Sequence, residues 1–325
     1  MNAHLGSDLD DDRPLVVTER EDLAPGIIGL RLEDPAGSPL PLWQPGSHVD
    51  LVLGEDLVKQ YSLCGDPADR TGYRVAVLRE DGGAGGSVLV HDTLVPGAPV
   101  AIRGPRNHFA FEIAPRYRFI AGGIGITAIL PMVRAAAAAG ADWTLDYCGK
   151  SVDAMAFAGE LAGAFPEQVR LHASRETGRL DVQAALAAPD PVTDVYCCGP
   201  ESLMGAVEQA ADQAGWLPGA LHLERFVPRE LGEVVWQQPF DVDLLLTGKT
   251  VTVPLGTSIL QAARDAGALV LSSCETGTCA TCETPVLEGA VDHRDSVLTP
   301  HEQAAGDRMM ICVSRAACSR LVLEL

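Results

Sequence analysis

No uninterrupted apolar run in this chain reaches about 18 residues, the length at which a segment begins to read as a membrane-crossing helix. Positive charge is also scarce: 24 Lys and Arg stand against 44 Asp and Glu, a formal net charge of -20. That balance excludes nucleic acid and anionic membrane as partners and suits a basic patch on another protein. Asp8, Asp10, Asp11, Asp12, Glu19 and Glu21 crowd the start, where a secretory signal would place cations and then an apolar stretch. A cytoplasmic location is expected. Nine cysteines, an odd number, fit a reducing compartment better than a disulfide framework. Aromatics make up only 5% of the residues, yet 47% are hydrophobic, so 325 residues can fill the cores of two or three domains.

The pattern along the chain changes twice. Residues 1–13 are polar and acidic, and disorder is expected there. Residues 14–111 read as short strands, among them Val49–Leu53, Tyr73–Leu78 and Val100–Ile102, broken by Gly and Pro turns, which predicts an antiparallel β-barrel. From 112 to 229 strands and helices alternate: Tyr117–Ala121, a helix from Ile129 to Ala139, Thr144–Cys148, Val169–His172, Asp194–Cys197 and a helix from Leu203 to Ala214. This alternation predicts a parallel α/β sheet. Residues 230–239 are expected to link to a last domain, 240–325, with a hairpin over Val242–Leu246 and Thr250–Val253 and a helix from Ser258 to Ala266.

The last domain contains Cys274-Glu-Thr-Gly-Thr-Cys279-Ala-Thr-Cys282, with Cys312 following at a distance. C-x4-C-x2-C plus a remote fourth cysteine is the spacing of a plant-type [2Fe-2S] cluster. Four thiolates must converge on two irons, and Gly277 permits the turn this needs. Zinc also accepts four thiolates, but its usual paired C-x2-C knuckles are missing, since only Cys279 and Cys282 have that spacing. Cys318 is read as a packing thiol, and Glu275, Thr276 and Thr278 as solvent-side residues around the cluster.

Two glycine turns fall at predicted strand ends. Gly122, Gly123, Gly125 and Thr127 lie between a buried strand and a helix, where backbone N–H groups can approach a pyrophosphate; a tight structural corner is the alternative. Cys198, Gly199 and Pro200 end a later strand, and ligands of open α/β sheets bind outside such ends. In the barrel, Lys59, Tyr61 and Ser62 offer a cation, an aromatic face and a hydroxyl, and Gly82–Ser87 offers a run of N–H donors. A flat ring with a phosphate tail needs those groups, although a core tyrosine and a glycine loop would look the same.

These motifs, in this order, resemble the phthalate dioxygenase reductase family from about residue 15 onward. The resemblance implies a flavin barrel, a nicotinamide nucleotide domain and a C-terminal β-grasp [2Fe-2S] ferredoxin domain. It implies that Tyr61 packs on the flavin ring, that Ser62 lies near its reactive nitrogen, and that Gly86 and Ser87 help hold the phosphate. Lys59 stands where the family has arginine, so charge survives without the bidentate fork. Gly122, Gly123, Gly125 and Thr127 match the nucleotide glycine motif, except that Ala128 replaces its proline. Cys198, Gly199 and Pro200 are expected beside the nicotinamide. Glu224-Arg-Phe226 resembles the ending whose aromatic ring covers the flavin's other face. Ser62 and Cys198 are the expected catalytic residues, and FMN is expected rather than FAD.

Ser174 and Arg175 resemble the segment with which related reductases hold the 2′-phosphate of NADPH, while the family itself usually takes NADH, so both nucleotides stay open; an inconsequential surface Arg175–Glu176 pair is the alternative. The implied activity is a reductase passing electrons singly to a separate terminal oxygenase of Rieske type, with a cytochrome P450 as another acceptor. The chain itself has no C-x-H…C-x2-H pattern. A non-catalytic metal-binding or regulatory protein of the same fold is the reading of a different class. A monomer is expected.

Overall fold

A computed structural model of the chain describes residues 11–54, 57–83, 85–229 and 232–325. Nearly all of the acidic start that was expected to be disordered lies outside the described residues. The chain divides into two compact units, Met1–Glu224 and Arg225–Leu325.

The first unit opens with six strands: β1 (Arg13–Ala24), β2 (Ile27–Glu33), β3 (Ser47–Gly54), β4 (Leu57–Ser62), β5 (Gly72–Leu78) and β6 (Pro99–Asn107), with α1 (Gly86–Thr93) between the last two. They pair antiparallel in the order β4-β3-β6-β1-β2-β5. A bridge from Leu63 to Val75, beside the Cys64 N–H bond to the Arg74 carbonyl (2.9 Å), brings the two edges together into a barrel. Alternation fills it: Leu15, Val17, Leu30, Leu32, Val49, Leu51, Val75 and Val77 are all buried inside. Each such side chain contributes roughly 1.5–3 kcal/mol by leaving water.

The second half of this unit is a five-stranded parallel sheet. Its elements are β7 (Arg116–Gly122), α2 (Ile126–Ala138), β8 (Asp142–Gly149), α3 (Ala158–Ala164), β9 (Val169–Ala173), α4 (Val182–Leu186), β10 (Thr193–Cys198), α5 (Glu201–Ala214) and β11 (Leu221–Glu224), and the strand order is β11-β10-β7-β8-β9. The helix expected from Ile129 begins instead at Ile126, because a 3-10 turn over Gly123–Gly125 feeds straight into it. The barrel and this sheet share one core. Ile27, Cys64, Ala76 and Phe109 pack with Phe119, Ile129, Met132 and Tyr196, and Arg74 lies over the Phe157 ring at 5.2 Å.

The second unit contains β12 (Phe240–Leu244), β13 (Lys249–Val253), α6 (Ile259–Asp265), β14 (Glu283–Glu288), β15 (Val291–Asp292), α7 (Pro300–Ala305), β16 (Arg308–Met310), β17 (Arg315–Ala316) and β18 (Arg320–Leu323). Five strands form a mixed sheet, β13-β12-β18-β14-β16, in which β12 and β18 run parallel. The hairpin sits two residues earlier than expected, since Phe240 is a buried strand residue. The segment expected to be a linker is anchored to this unit. Arg294 bonds the carbonyl of Gly232 at 2.5 Å, and the Val235 N–H bonds Asp292 Oδ2 at 3.1 Å. Among the described residues no helix is long and apolar enough to cross a membrane.

Candidate functional site

On the barrel, β4 carries Lys59, Tyr61 and Ser62, and its position is fixed from below. Gln60, opposite Asp50 on β3, donates to that carboxylate at 3.0 Å, and Arg106 on β6 pairs with the other Asp50 oxygen at 2.7 Å in a buried contact. Losing one partner of a buried pair costs about 3–5 kcal/mol, so this brace is rigid. Lys59 runs along the start of α1: a Cβ on Gly86 would sit 2.5 Å from Lys59 Cγ. The structure thus brings Lys59, Gly86 and Ser87 together at a helix N-terminus whose first turn has no acidic residue. Among the described residues Lys59 has no carboxylate partner. The Ser87 hydroxyl accepts the Glu80 N–H at 3.0 Å, which closes the loop over Gly82–Ser87 except for Ala84, outside the described residues. Burial, with Glu80 nearby, pushes the Tyr61 phenol up to about 12, so it stays neutral. A cation, helix N–H groups and a neutral aromatic face fit a flavin and its phosphate.

Ser62 is buried. Its hydroxyl is hydrogen-bonded to the Glu224 carboxyl at the end of β11, and burial pushes that acid up to about 8, the Ser62 bond only partly offsetting it. Glu224 as a residue is partly exposed, yet its Oε2 is sealed from solvent without a partner among the described residues. Sequence reasoning missed this acid; the Glu224-Arg-Phe226 motif was the available signal, but attention fell on its aromatic end. Phe226 belongs to the second unit, where it is 42% exposed.

The two glycine turns of the parallel sheet close directly on each other. β7 and β10 are neighbours in register, Ala121 opposite Cys198. A Cβ on Gly122 would lie 2.6 Å from Pro200 Cδ, one on Gly199 would lie 3.0 Å from Gly122 Cα, and one on Gly125 would overlap the Cys198 carbonyl. Only glycine permits this approach, which sets the N-terminus of α2 beside the Cys198–Pro200 turn at the carboxyl ends of the strands, where ligands of open α/β sheets bind. Thr127 is buried, and its hydroxyl donates to the Ile124 carbonyl at 2.9 Å, capping the turn. The helix carries its proline at Pro131, one turn beyond the replaced position. Ser174 and Arg175 follow β9 and are exposed, and the Arg175 N–H bonds the Lys150 carbonyl at 3.0 Å. Glu176 takes the Val152 N–H at 3.2 Å instead of pairing with Arg175, leaving that guanidinium without a carboxylate among the described residues.

In the second unit the four cysteines meet. Cys274 contacts Cys279 and Cys312, and Cys282 contacts Cys312. Sharing protons with these neighbours lowers the Cys274 and Cys282 thiols and lifts Cys279 and Cys312. The Cys274 sulfur accepts N–H groups from Thr276 and Thr278, each at 3.4 Å. Among the described residues no three His, Cys, Asp or Glu side chains converge on one ion. Pairwise contact among four sulfurs suits two irons with two thiolates each and fits single-ion zinc poorly. Glu275 is tied to Arg264 at 2.7 Å. Cys318 contacts the Arg320 and Ala290 carbonyls, as a packing thiol would.

Comparison with known proteins agrees with this geometry. Residues 244–317, which include all four cysteines, match the 2Fe-2S iron-sulfur cluster binding domain. The chain is 40% identical over 304 residues to phenoxybenzoate dioxygenase subunit beta of Ectopseudomonas oleovorans, covering 93% of this chain and 94% of that protein. It superposes on phthalate dioxygenase reductase, a modular structure for electron transfer from pyridine nucleotides to [2Fe-2S], with a TM-score of 0.69 and 35% identity, covering 97% of this chain and 98% of that one. An intact type IV self-sufficient cytochrome P450 monooxygenase aligns at TM-score 0.88 and 44% identity over 97% of this chain, which spans only 41% of that longer protein.

Proposed function

The chain belongs to the phthalate dioxygenase reductase family, and from that premise we propose that it draws electrons from NADH or NADPH and passes them singly to a separate Rieske-type oxygenase. It is an NAD(P)H-dependent flavin and [2Fe-2S] reductase. The observation that carries the acceptor reading is the set of paired thiols in a unit with its own core, which can discharge one electron at a time to a protein.

A bound flavin would supply hydride acceptance from a nicotinamide, and a bound cluster would supply one-electron relay. The chain's own residues align these groups. Tyr61 offers the ring a neutral face, and Lys59 with the Gly86 and Ser87 end of α1 holds the phosphate, a set matched to FMN. Gly122, Gly123, Gly125 and the Cys198–Pro200 turn would hold the nucleotide, with Ser62 and Cys198 as the residues expected beside the reacting groups; alignment of this kind accounts for several kcal/mol of a barrier. Thr127 acts through the turn it caps. Burial keeps a proton on the Glu224 carboxyl beside Ser62 up to about pH 8. Arg175, with Ser174 and the neighbouring Lys150, would meet a 2′-phosphate, and Phe226 is the aromatic candidate for a flavin ring. Cys274, Cys279, Cys282 and Cys312 are the cluster ligands. The functional divisions are 14–111 for flavin, 112–229 for nucleotide, and 240–325, with its lead-in 230–239, for the cluster. An odd number of cysteines, nine, supports a reducing compartment, which we read as the cytoplasm.

The similarity to the self-sufficient P450 favours one second reading, in which the acceptor is a separate cytochrome P450. An anaerobic visible titration of the wild type and Arg175→Ala with NADH and with NADPH tests the chemistry. Flavin and iron-sulfur bands should bleach in both proteins, and the variant should need roughly tenfold more NADPH with NADH unchanged, the loss of one charge-assisted contact. Bands unmoved by either nucleotide would leave only a non-catalytic relative, and an unchanged nucleotide ratio would remove Arg175 from the site.

A further inference from the structure

The second unit contains a charged side chain that none of the steps above uses. Asp295, in the connection between β15 and α7, is 1% exposed, and its two oxygens do different work. Oδ1 accepts the N–H groups of Val297 (3.0 Å) and Leu298 (2.7 Å), forming the turn that leads into α7. Oδ2 faces another part of the chain: it accepts the Ser314 hydroxyl at 3.4 Å and lies 3.7 Å from His293 Nδ1. Ser314 is fully buried, two residues past Cys312, and its hydroxyl also accepts the Arg294 N–H at 3.0 Å.

The same short segment grips the three-cysteine loop. The Ser296 N–H donates to the Gly277 carbonyl at 2.8 Å. Gly277 has a φ of +74°, and a Cβ there would sit 2.5 Å from Val313 Cγ2 and 3.2 Å from Asp295 Cα. Residues 293–296 therefore touch the loop between Cys274 and Cys279 with one bond and the Cys312 segment with two others. Burial pushes the Asp295 carboxyl up, but the His293 contact and the N–H groups of Leu298 and Val297 outweigh it and hold the group below the usual carboxylate range. A buried carboxylate, with His293 beside it, thus bonds the Cys312 segment through Ser314, and the next residue along, Ser296, bonds the cysteine loop.

We propose that Asp295 is a positioning residue that clamps the Cys312 segment to the cluster loop through Ser314 and, by its buried charge, keeps the potential of the cluster low. This rests on the reading that the four cysteines hold [2Fe-2S]. Net charge around a cluster is one of the main terms setting its potential, because an added electron is repelled by a nearby anion that water does not screen. An aspartate serving only its own turn would need Oδ1 alone.

The test uses the full chain with its cluster, as wild type, Asp295→Asn and Ser314→Ala. Iron and sulfide are counted, and the cluster midpoint is taken from a redox titration followed by electron paramagnetic resonance. Asparagine keeps the hydrogen bonds to Val297 and Leu298 while removing the charge. It should retain iron and shift the one-electron equilibrium about tenfold toward the reduced cluster, which is about 59 mV upward. Ser314→Ala keeps the charge and should leave the midpoint in place while a chelator removes iron faster. An iron-loaded Asp295→Asn with the wild-type midpoint overturns the proposal. Should that variant load no iron, Ser314→Ala decides alone: wild-type iron release there, or a shifted midpoint with the carboxylate intact, overturns it. Wild-type protein without a reduced-cluster signal would refute the cluster reading itself, an outcome separate from either variant result.

Discussion

Replacing Glu224 with glutamine isolates a buried acid that the first unit holds protonated at neutral pH. Its carboxyl has an ordinary pKa of 4.5 and is pushed up to about 8 by burial in the folded chain. Between those values the unfolded chain has released the proton and the folded chain has kept it, so stability falls as pH rises across the window and is level outside it. With each pKa step worth about 1.36 kcal/mol, the wild type should lose on the order of 4 to 5 kcal/mol between pH 4.5 and 8 from this group alone. Glutamine has the same shape, can still bond Ser62 and carries no charge, so it avoids that loss. Urea unfolding of both proteins at pH 5, 6, 7, 8 and 9, followed by the fluorescence of Trp43 and Trp143 in this unit, gives a difference in which all other titrations cancel. The glutamine variant should gain on the wild type steadily up to about pH 8 and hold its lead above it. A difference that does not change with pH would refute the reasoning, because it would mean that Glu224 meets the same environment folded and unfolded.

Two further perturbations probe the nucleotide and cluster sites. Gly125→Ala places a methyl group against the Cys198 carbonyl, and overpacking of this kind costs about 1–3 kcal/mol. The two turns should part, raising the KM for the nucleotide roughly tenfold or more in a steady-state dye assay while flavin content stays whole; an unchanged KM would mean that the crevice between them is not the site. Cys279→Ser should remove the iron-sulfur bands and leave nucleotide-driven reduction of a small dye intact, as read in the same assay. Loss of dye reduction together with the cluster would contradict the independence of the two units.

How much of this was legible in the sequence depended on how local each feature is. The cysteine loop was legible as the mark of a [2Fe-2S] domain, since three of its cysteines fall within nine residues and their spacing carries the signal. The two glycine turns could be found, but not their contact, which arises because β10 and β7 are sheet neighbours although two strands separate them in the chain. Thr127 could be read with the glycines as part of the nucleotide turn, but not the bond its hydroxyl gives the Ile124 carbonyl at the tight entry into α2. Strand β1 went unread because only Leu15 and Val17 of its twelve residues are buried, so it shows little of the alternation that marks a strand. Glu224 and Ser62 were each in view, but β4 and β11 lie far apart in the chain, and no periodicity links them.

The distribution of cores follows from the chemistry each unit must perform. Hydride transfer needs the donor and acceptor atoms held within about 3.5 Å and correctly oriented, and a small displacement costs orders of magnitude in rate. The barrel and the parallel sheet share a single core, with Phe109, Met132 and Tyr196 at its centre, so the two sites that must align cannot move separately without breaking it. The cluster asks for something different: four sulfurs fixed relative to one another, and a surface left free for an acceptor. Its unit accordingly packs around a core of its own, with Phe240, Ile259, Met310 and Leu321, and rigidity is concentrated where the ligands meet. There the bond from Ser296 to Gly277 and those from Arg294 and Asp295 to Ser314 tie the loop to the fourth cysteine. Precision in the first unit is therefore spread over a whole interior, while in the second it rests on three hydrogen bonds, so a substitution at Asp295 can change the electron's energy, and one at Ser314 can loosen the cage, while the hydride step is left untouched.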